Sequence, residues 1–113
     1  MGFREHVKLQ VDGGTVVVDA TDEHLSPYGR VHGGLIATML DVAMSGAVAE
    51  TGGDSPVTVS LTVTYHEPGR PGRLEARAKV RKRGKRLLVV EGEVVQDDDV
   101  LADALATFSV QPG

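Results

Sequence analysis

Val31-His32-Gly33-Gly34-Leu35-Ile36-Ala37-Thr38-Met39-Leu40-Asp41-Val42-Ala43-Met44-Ser45-Gly46-Ala47-Val48-Ala49 is the stretch from which the rest of the chain is read. From Gly33 to Ala49 every residue is apolar, small or a hydroxyl, with one exception, Asp41. Apolar positions at 35, 36, 39, 40, 42, 43, 47 and 48 fit a 3.6-residue period on more than one face, which predicts a helix enclosed by protein on most sides. An ionised carboxylate in such surroundings is costly unless partnered, so Asp41 is either satisfied structurally or retained for chemistry. The helix opens on His32-Gly33-Gly34, and two glycines leave its first amides unscreened by any Cβ. Those amides are donors without intrahelical partners at the positive end of the helix dipole.

Outward from that helix, the composition is that of one globular domain. The 113 residues, 41% hydrophobic and 25% charged, suit a single core over residues 1–113. With no cysteine there is no disulfide, no thiolate zinc site and no cysteine nucleophile, which agrees with a reducing, cytoplasmic setting. The start of the chain has no apolar core of signal-peptide length. The helix falls short of the ~20 apolar residues of a membrane span. A soluble protein without a membrane partner is expected.

Net charge is −4, yet nine of the twelve Lys and Arg lie between Arg70 and Arg86, with Glu75 the only acid among them. Either this is a solvated strand face or it holds a phosphorylated small molecule. A nucleic-acid partner is not expected, because the chain is acidic and only 4% aromatic.

On the N-terminal side, His6 to Val11 and Thr15 to Ala20 alternate about Asp12-Gly13-Gly14 and predict a hairpin. Thr21 to Arg30 reads as a loop with a helical turn near Asp22-Glu23-His24. On the C-terminal side, Thr51 to Pro56 ends the helix. Val57, Val59, Leu61, Val63 and Tyr65 then form one strand face, with Thr58, Ser60, Thr62 and Thr64 on the other. The next strand turns Leu74, Ala76, Ala78 and Val80 inward. After it come Leu88, Val90 and Val94, and last Ala102 to Val110. A three-residue loop over Arg83, Gly84 and Lys85 keeps even positions opposite even ones, setting Arg77 against Glu91 and Glu75 against Glu93 unless a bulge intervenes. The expected class is α+β, an antiparallel sheet of five or six strands against one long helix. One flat sheet cannot cover a helix that is apolar all round, so the sheet curls or a second copy completes the cover. A homo-oligomer is expected.

For chemistry, Asp41 is the sharpest candidate, as general base or nucleophile; the structural alternative is a carboxylate that caps or pairs across an interface. Gly33 is a candidate oxyanion donor through its amide, or a plain helix start. His32 either donates to a substrate carbonyl or braces the loop. His24, His32 and His66 lack metal-ligand spacing, so no metal is expected. The serines lack a nucleophile-elbow context. Met39, Met44, Val48 and Tyr65 are read first as core and second as the lining of an acyl pocket.

Gly29-Arg30-Val31-His32-Gly33-Gly34 with Leu40-Asp41-Val42-Ala43, then Thr58 to Tyr65, then Gly84-Lys85-Arg86-Leu87, resembles the phenylacetate-degradation (PaaI-like) branch of the hotdog-fold acyl-CoA thioesterases. The resemblance covers nearly the whole chain. It implies a sheet wrapped around the central helix, dimers joined edge to edge, tetramers of two dimers, and a site at the dimer interface. It assigns the carbonyl-polarising amide to Gly33, a supporting histidine to His32 and the catalytic carboxylate to Asp41 of the opposite subunit. Thr58 is given the auxiliary hydroxyl, although plain alternation sets its side chain opposite the apolar row. Six residues before the histidine, where the branch commonly has Asn or Gln, stands Ser26, which is shorter and offers no amide. Relatives hold the nucleotide end of coenzyme A near the turn that here carries Arg83, Gly84, Lys85 and Arg86, and the resemblance counts Gly34 with these as substrate-binding. Coenzyme A is then part of the substrate, a small, medium or aromatic acyl-CoA, and no separate cofactor is implied. The alternative is a non-catalytic acyl-CoA-binding module.

Overall fold

The computed structural model describes residues 2–111, His6 by its backbone alone; Met1, Pro112 and Gly113 of the expected 1–113 domain lie outside the described residues. Helix α2 spans Gly33–Glu50, and the apolar run explains it: Leu35, Ile36, Met39, Leu40, Ala43, Met44, Ala47 and Val48 form its buried side. Gly34 and Ala49 are exposed, while Ala37, Thr38, Asp41, Val42 and Ser45 are half-buried. By length and composition alone α2 would also suit a membrane segment, but here it is the core helix.

Around it run β1 (Gln10–Asp12), β2 (Thr15–Ala20), β3 (Asp54–Tyr65), β4 (Gly72–Arg83), β5 (Leu87–Gln96) and β6 (Asp99–Gln111), in the order β1-β2-β4-β5-β6-β3. Every pairing is antiparallel. This is the hotdog architecture, with six strands curled about one helix. Val16, Val18, Leu74, Val90, Val94 and Phe108 close the inner face against α2. Gly92 also lies on that face. A Cβ there would come within 3.2 Å of Met44 and 3.3 Å of Leu40, so the missing side chain is what lets the helix nest.

Three expectations are corrected. The first strand is shorter than predicted: Phe3–His6 is a helical turn (α1), and pairing with β2 begins at Gln10. Val7 and Leu9 still pack against the core, which accounts for the alternation that suggested a strand.

Second, the β4–β5 register is displaced. Arg77 lies opposite Glu93, Lys79 opposite Glu91 and Glu75 opposite Val95, because the turn is longer than expected, with Arg83 paired to Leu88, and the irregularity between Val80 and Lys82 takes back only one residue of the difference. The repulsive Glu75–Glu93 pair is thereby avoided. Lys79 bonds Glu91 at 3.3 Å, and Glu75 sits between Arg73 and Arg77. The Arg77 hydrogen bond, with help from Arg73, holds the Glu75 carboxyl below the usual carboxylate range against the opposing effect of its partial burial.

Third, the β3 faces are not those of simple alternation. Its pairing with β6 shifts between Thr58 and Ser60, leaving Val59 as the extra residue of a bulge. Thr58 lies opposite the buried Phe108, and Leu61, Val63 and Tyr65 lie opposite Ala106, Ala104 and Ala102. Val57 and Val59, expected in the core, are instead 57% and 59% exposed.

Candidate active site

The helix mouth is built by a short loop that the buried His24 holds. Its Nδ1 accepts from the Thr21 amide at 2.9 Å, and its Nε2 donates to the Val7 carbonyl at 3.2 Å. The His24 carbonyl takes the His32 amide at 2.8 Å, and the Leu25–Val31 bridge closes the loop behind it. Sequence reading gave His24 no role beyond its place in a helical turn. Only a buried imidazole between two backbone groups reveals one.

His32 is the N-cap of α2, with extended backbone (φ −61, ψ 130), and its Nδ1 accepts the Gly34 amide at 3.0 Å. An accepting Nδ1 leaves the neutral ring's proton on Nε2, so His32 presents an N–H at the mouth. The Leu35 and Ile36 amides both go to the His32 carbonyl, at 3.0 and 3.4 Å. Of the first four helical amides, that leaves Gly33 as the one without an acceptor among the described residues. A Cβ built on Gly33 would touch the Tyr65 ring at 3.5 Å, an ordinary contact. The fold itself therefore does not demand a glycine here, and what its absence of side chain provides is open access to that amide.

Two turns along the same helix, Asp41 is half-buried, and Thr58 donates its hydroxyl proton to Asp41 Oδ1 at 2.6 Å, a short, charge-assisted bond. The β3 bulge is what turns Thr58 inward to make it. No hydrogen bond among the described residues occupies Oδ2 of Asp41.

The structure thus brings together two groups, His32, Gly33 and Gly34 at the mouth and Asp41 with Thr58 farther along. Eight residues of helix, about 12 Å, separate them within one chain. Ser26 joins neither. Its hydroxyl accepts the Tyr28 amide at 3.3 Å, and its backbone closes the turn with Gly29 and Arg30.

The basic turn lies at the opposite end of α2 from the mouth. Arg83 donates to the Thr51 carbonyl beyond the helix C-terminus, and Arg83, Gly84 and Lys85 border a surface groove with Gly53, Leu88 and Val110. Lys85 and Arg86 make no ion pair among the described residues. A concavity of about 690 Å³ lies on the far side of the sheet from the helix. Across it Lys79 pairs with Glu91 and Arg77 lies opposite Glu93, as on a solvated strand face.

Tyr65 closes a cleft of about 320 Å³ in front of Gly33, whereas Met39, Met44 and Val48 are fully buried core. The Tyr65 hydroxyl donates to the Gly33 carbonyl at 2.7 Å. No sequence signal pointed to that bond, since the bulge that sets the face of Thr58 relative to Tyr65 leaves no mark in the alternation.

Residues 28–102 match the family model of the Thioesterase superfamily. The chain is 37% identical over 68 residues to human acyl-coenzyme A thioesterase 13, an overlap of 58% of this chain and 49% of that protein. The chain thus spans about half the length of the curated relatives it matches. A Bacillus halodurans protein crystallised with CoA superposes with a TM-score of 0.87 at 33% identity, over 96% of this chain and 74% of the other. A phenylacetic acid degradation-related protein of Ralstonia eutropha JMP134 gives 0.83 at 33% identity, over 95% and 88%.

Proposed function

The chain belongs to the thioesterase superfamily, and from that membership we propose that it hydrolyses the thioester of a small or medium acyl-CoA, aromatic acyl groups included, with no cofactor beyond the coenzyme A of the substrate. The observation that carries this reading is the Gly33 amide, the one donor of the first helical turn without an acceptor among the described residues, next in the chain to His32, whose Nδ1 holds the Gly34 amide. Donors fixed in advance where negative charge develops on a carbonyl oxygen lower the barrier to its attack by ~10²–10³ in rate. The thioester oxygen lies against Gly33, and His32 supports it. Gly34 serves through its amide, which fixes the His32 ring.

A carbonyl within about 3 Å of Gly33 is out of reach of Asp41 on the same helix. Asp41 therefore comes from a second copy, acting on water as general base or attacking the thioester itself, with Thr58 holding one of its oxygens. The unpaired edge of β3, with Val57 and Val59 exposed along it, is the surface on which that copy joins. In the same assembly the basic turn of the Asp41-bearing copy stands beyond Asp41, toward the far end of its helix. Arg83, Gly84, Lys85 and Arg86 there receive the phosphates of the nucleotide. The Bacillus halodurans protein crystallised with CoA supports that substrate class. Ser26 stands apart from these groups and contributes through its loop only.

The experiment is a thiol-release screen over short, branched, aromatic and long acyl-CoAs, run on the parent and on Asp41→Asn. The parent is expected to turn over at least one class. The isosteric variant keeps its fold and oligomeric state and loses a factor of ~10² or more in kcat. Turnover surviving in Asp41→Asn would remove that carboxylate from the reaction. Acyl-CoA binding by the parent with no thiol released across the panel would favour the non-catalytic binding module.

A further inference from the structure

The Gly33 carbonyl and the Gly34 amide are the two ends of one peptide group, and a side chain holds each. Tyr65 Oη donates to the carbonyl at 2.7 Å, and His32 Nδ1 accepts from the amide at 3.0 Å. The first turn of α2 also engages this carbonyl, but a peptide between two glycines turns over at less steric cost than its neighbours along the helix, since neither flanking residue has a Cβ to oppose rotation. Were it to flip, a carbonyl oxygen would face the mouth where an oxyanion is to form. His32 would also lose the bond that keeps its ring oriented and its proton on Nε2. We propose that Tyr65 is a positioning residue of the thioesterase reaction, clamping the Gly33–Gly34 peptide so that the helix mouth presents donors only. This rests on the function proposed above.

Tyr65 is suited to the task because its ring contacts Gly33 while its hydroxyl reaches past it. The residue terminates β3, whose bulge at Val59 sets the faces of both Tyr65 and Thr58. It is half-exposed, so the hydroxyl can be removed without opening a core cavity.

The test is Tyr65→Phe, which keeps the ring and deletes the donor. Two readouts are taken on parent and variant: acyl-CoA steady-state kinetics, and hydrogen exchange of the Gly34 amide with the His32 ring tautomer by ¹⁵N NMR. The expected result is a kcat lowered about tenfold or more, with KM within about twofold. Gly34 exchange becomes faster, and the His32 ring no longer holds the Nε2–H form alone. Parental kcat in the variant overturns the proposal, whether or not exchange changes. A lowered kcat with parental Gly34 exchange overturns it as well, because Tyr65 would then act on the substrate directly. If Tyr65→Phe fails to fold, the parent decides: a Gly34 amide exchanging as fast as an unprotected one means that no clamp exists. A parent that releases no thiol defeats the thioesterase reading instead, and its amide exchange still reports whether the peptide is held.

Discussion

At Gly33 a single N–H can be removed with little else disturbed, because the local backbone already suits proline. The position is the first of the helix, where an absent N–H breaks no intrahelical bond, and His32 has the extended conformation that a following proline favours. The Cβ meets only the Tyr65 ring at an ordinary distance. Gly33→Pro is therefore expected to fold with at least parental stability, gaining on the order of 0.4–1 kcal/mol from the stiffened unfolded chain. Its kcat toward acyl-CoA should nonetheless fall by ~10²–10³. Thermal melting and thiol release measured side by side check both halves, and a stable, fully active Gly33→Pro would remove this amide from the mechanism. What sequence exposed at this scale were exceptions: a lone acid in an apolar run and a pair of bare glycines after a histidine. Residues that act through partners left no such mark. His24, Tyr65 and Gln96, whose amide bonds both the N–H and the C=O of Arg70, have ordinary identities, and only their partners reveal what they do.

Among the elements, α2 was legible because its signal is long and redundant, whereas strand faces hung on alternation that one extra residue reverses. Val59 did so in β3, setting Thr58 on the wrong face, while in β4–β5 a turn longer than expected, only partly offset by the irregularity at Arg81, gave Arg77 the wrong partner. Nothing in composition distinguishes a valine that bulges from one that alternates. The packing of elements also decides cases where local propensity points the other way. Gly46 lies inside α2, where alanine would be favoured by about 1 kcal/mol. Yet a Cβ there would stand 1.8 Å from the Gly13 carbonyl oxygen, because the β1–β2 turn rests on the helix at this point. That turn is fixed in turn by the Gly14 amide donating to Glu50 Oε1 at 2.7 Å. Gly46→Ala should force the hairpin off the helix and lower stability by roughly 1–3 kcal/mol, the range for overpacked sites. Chemical denaturation measures it, and a variant as stable as the parent would show that the hairpin moves aside freely.

For the whole molecule, the decisive fact is that one helix carries an amide and a carboxylate too far apart to share a carbonyl. The chain's two half-sites stand two turns apart along α2, and both are supported from β3, through Tyr65 at one and Thr58 at the other. Since β3 is also an open edge of the sheet, and far longer than β1 at the other, a partner joining there would meet the strand that orders both half-sites. The sequence implied a second copy from the helix's apolar girth, but the small, half-buried residues of its open side, Ala37, Thr38, Asp41 and Ser45, relocate that argument to the strand edge and to the chemistry. The consequence is complementation. Gly33→Pro and Asp41→Asn chains, each inactive alone, are co-expressed with different affinity tags and taken through both purifications. A two-fold dimer of one of each then holds one doubly disabled site and one in which the Gly33 amide and the Asp41 carboxylate are both intact. Turnover should return to about half the parental value per dimer. If each site were built within a single chain, every site in the mixed dimer would carry a lesion and no activity would return, and the shared-site mechanism would have to be given up.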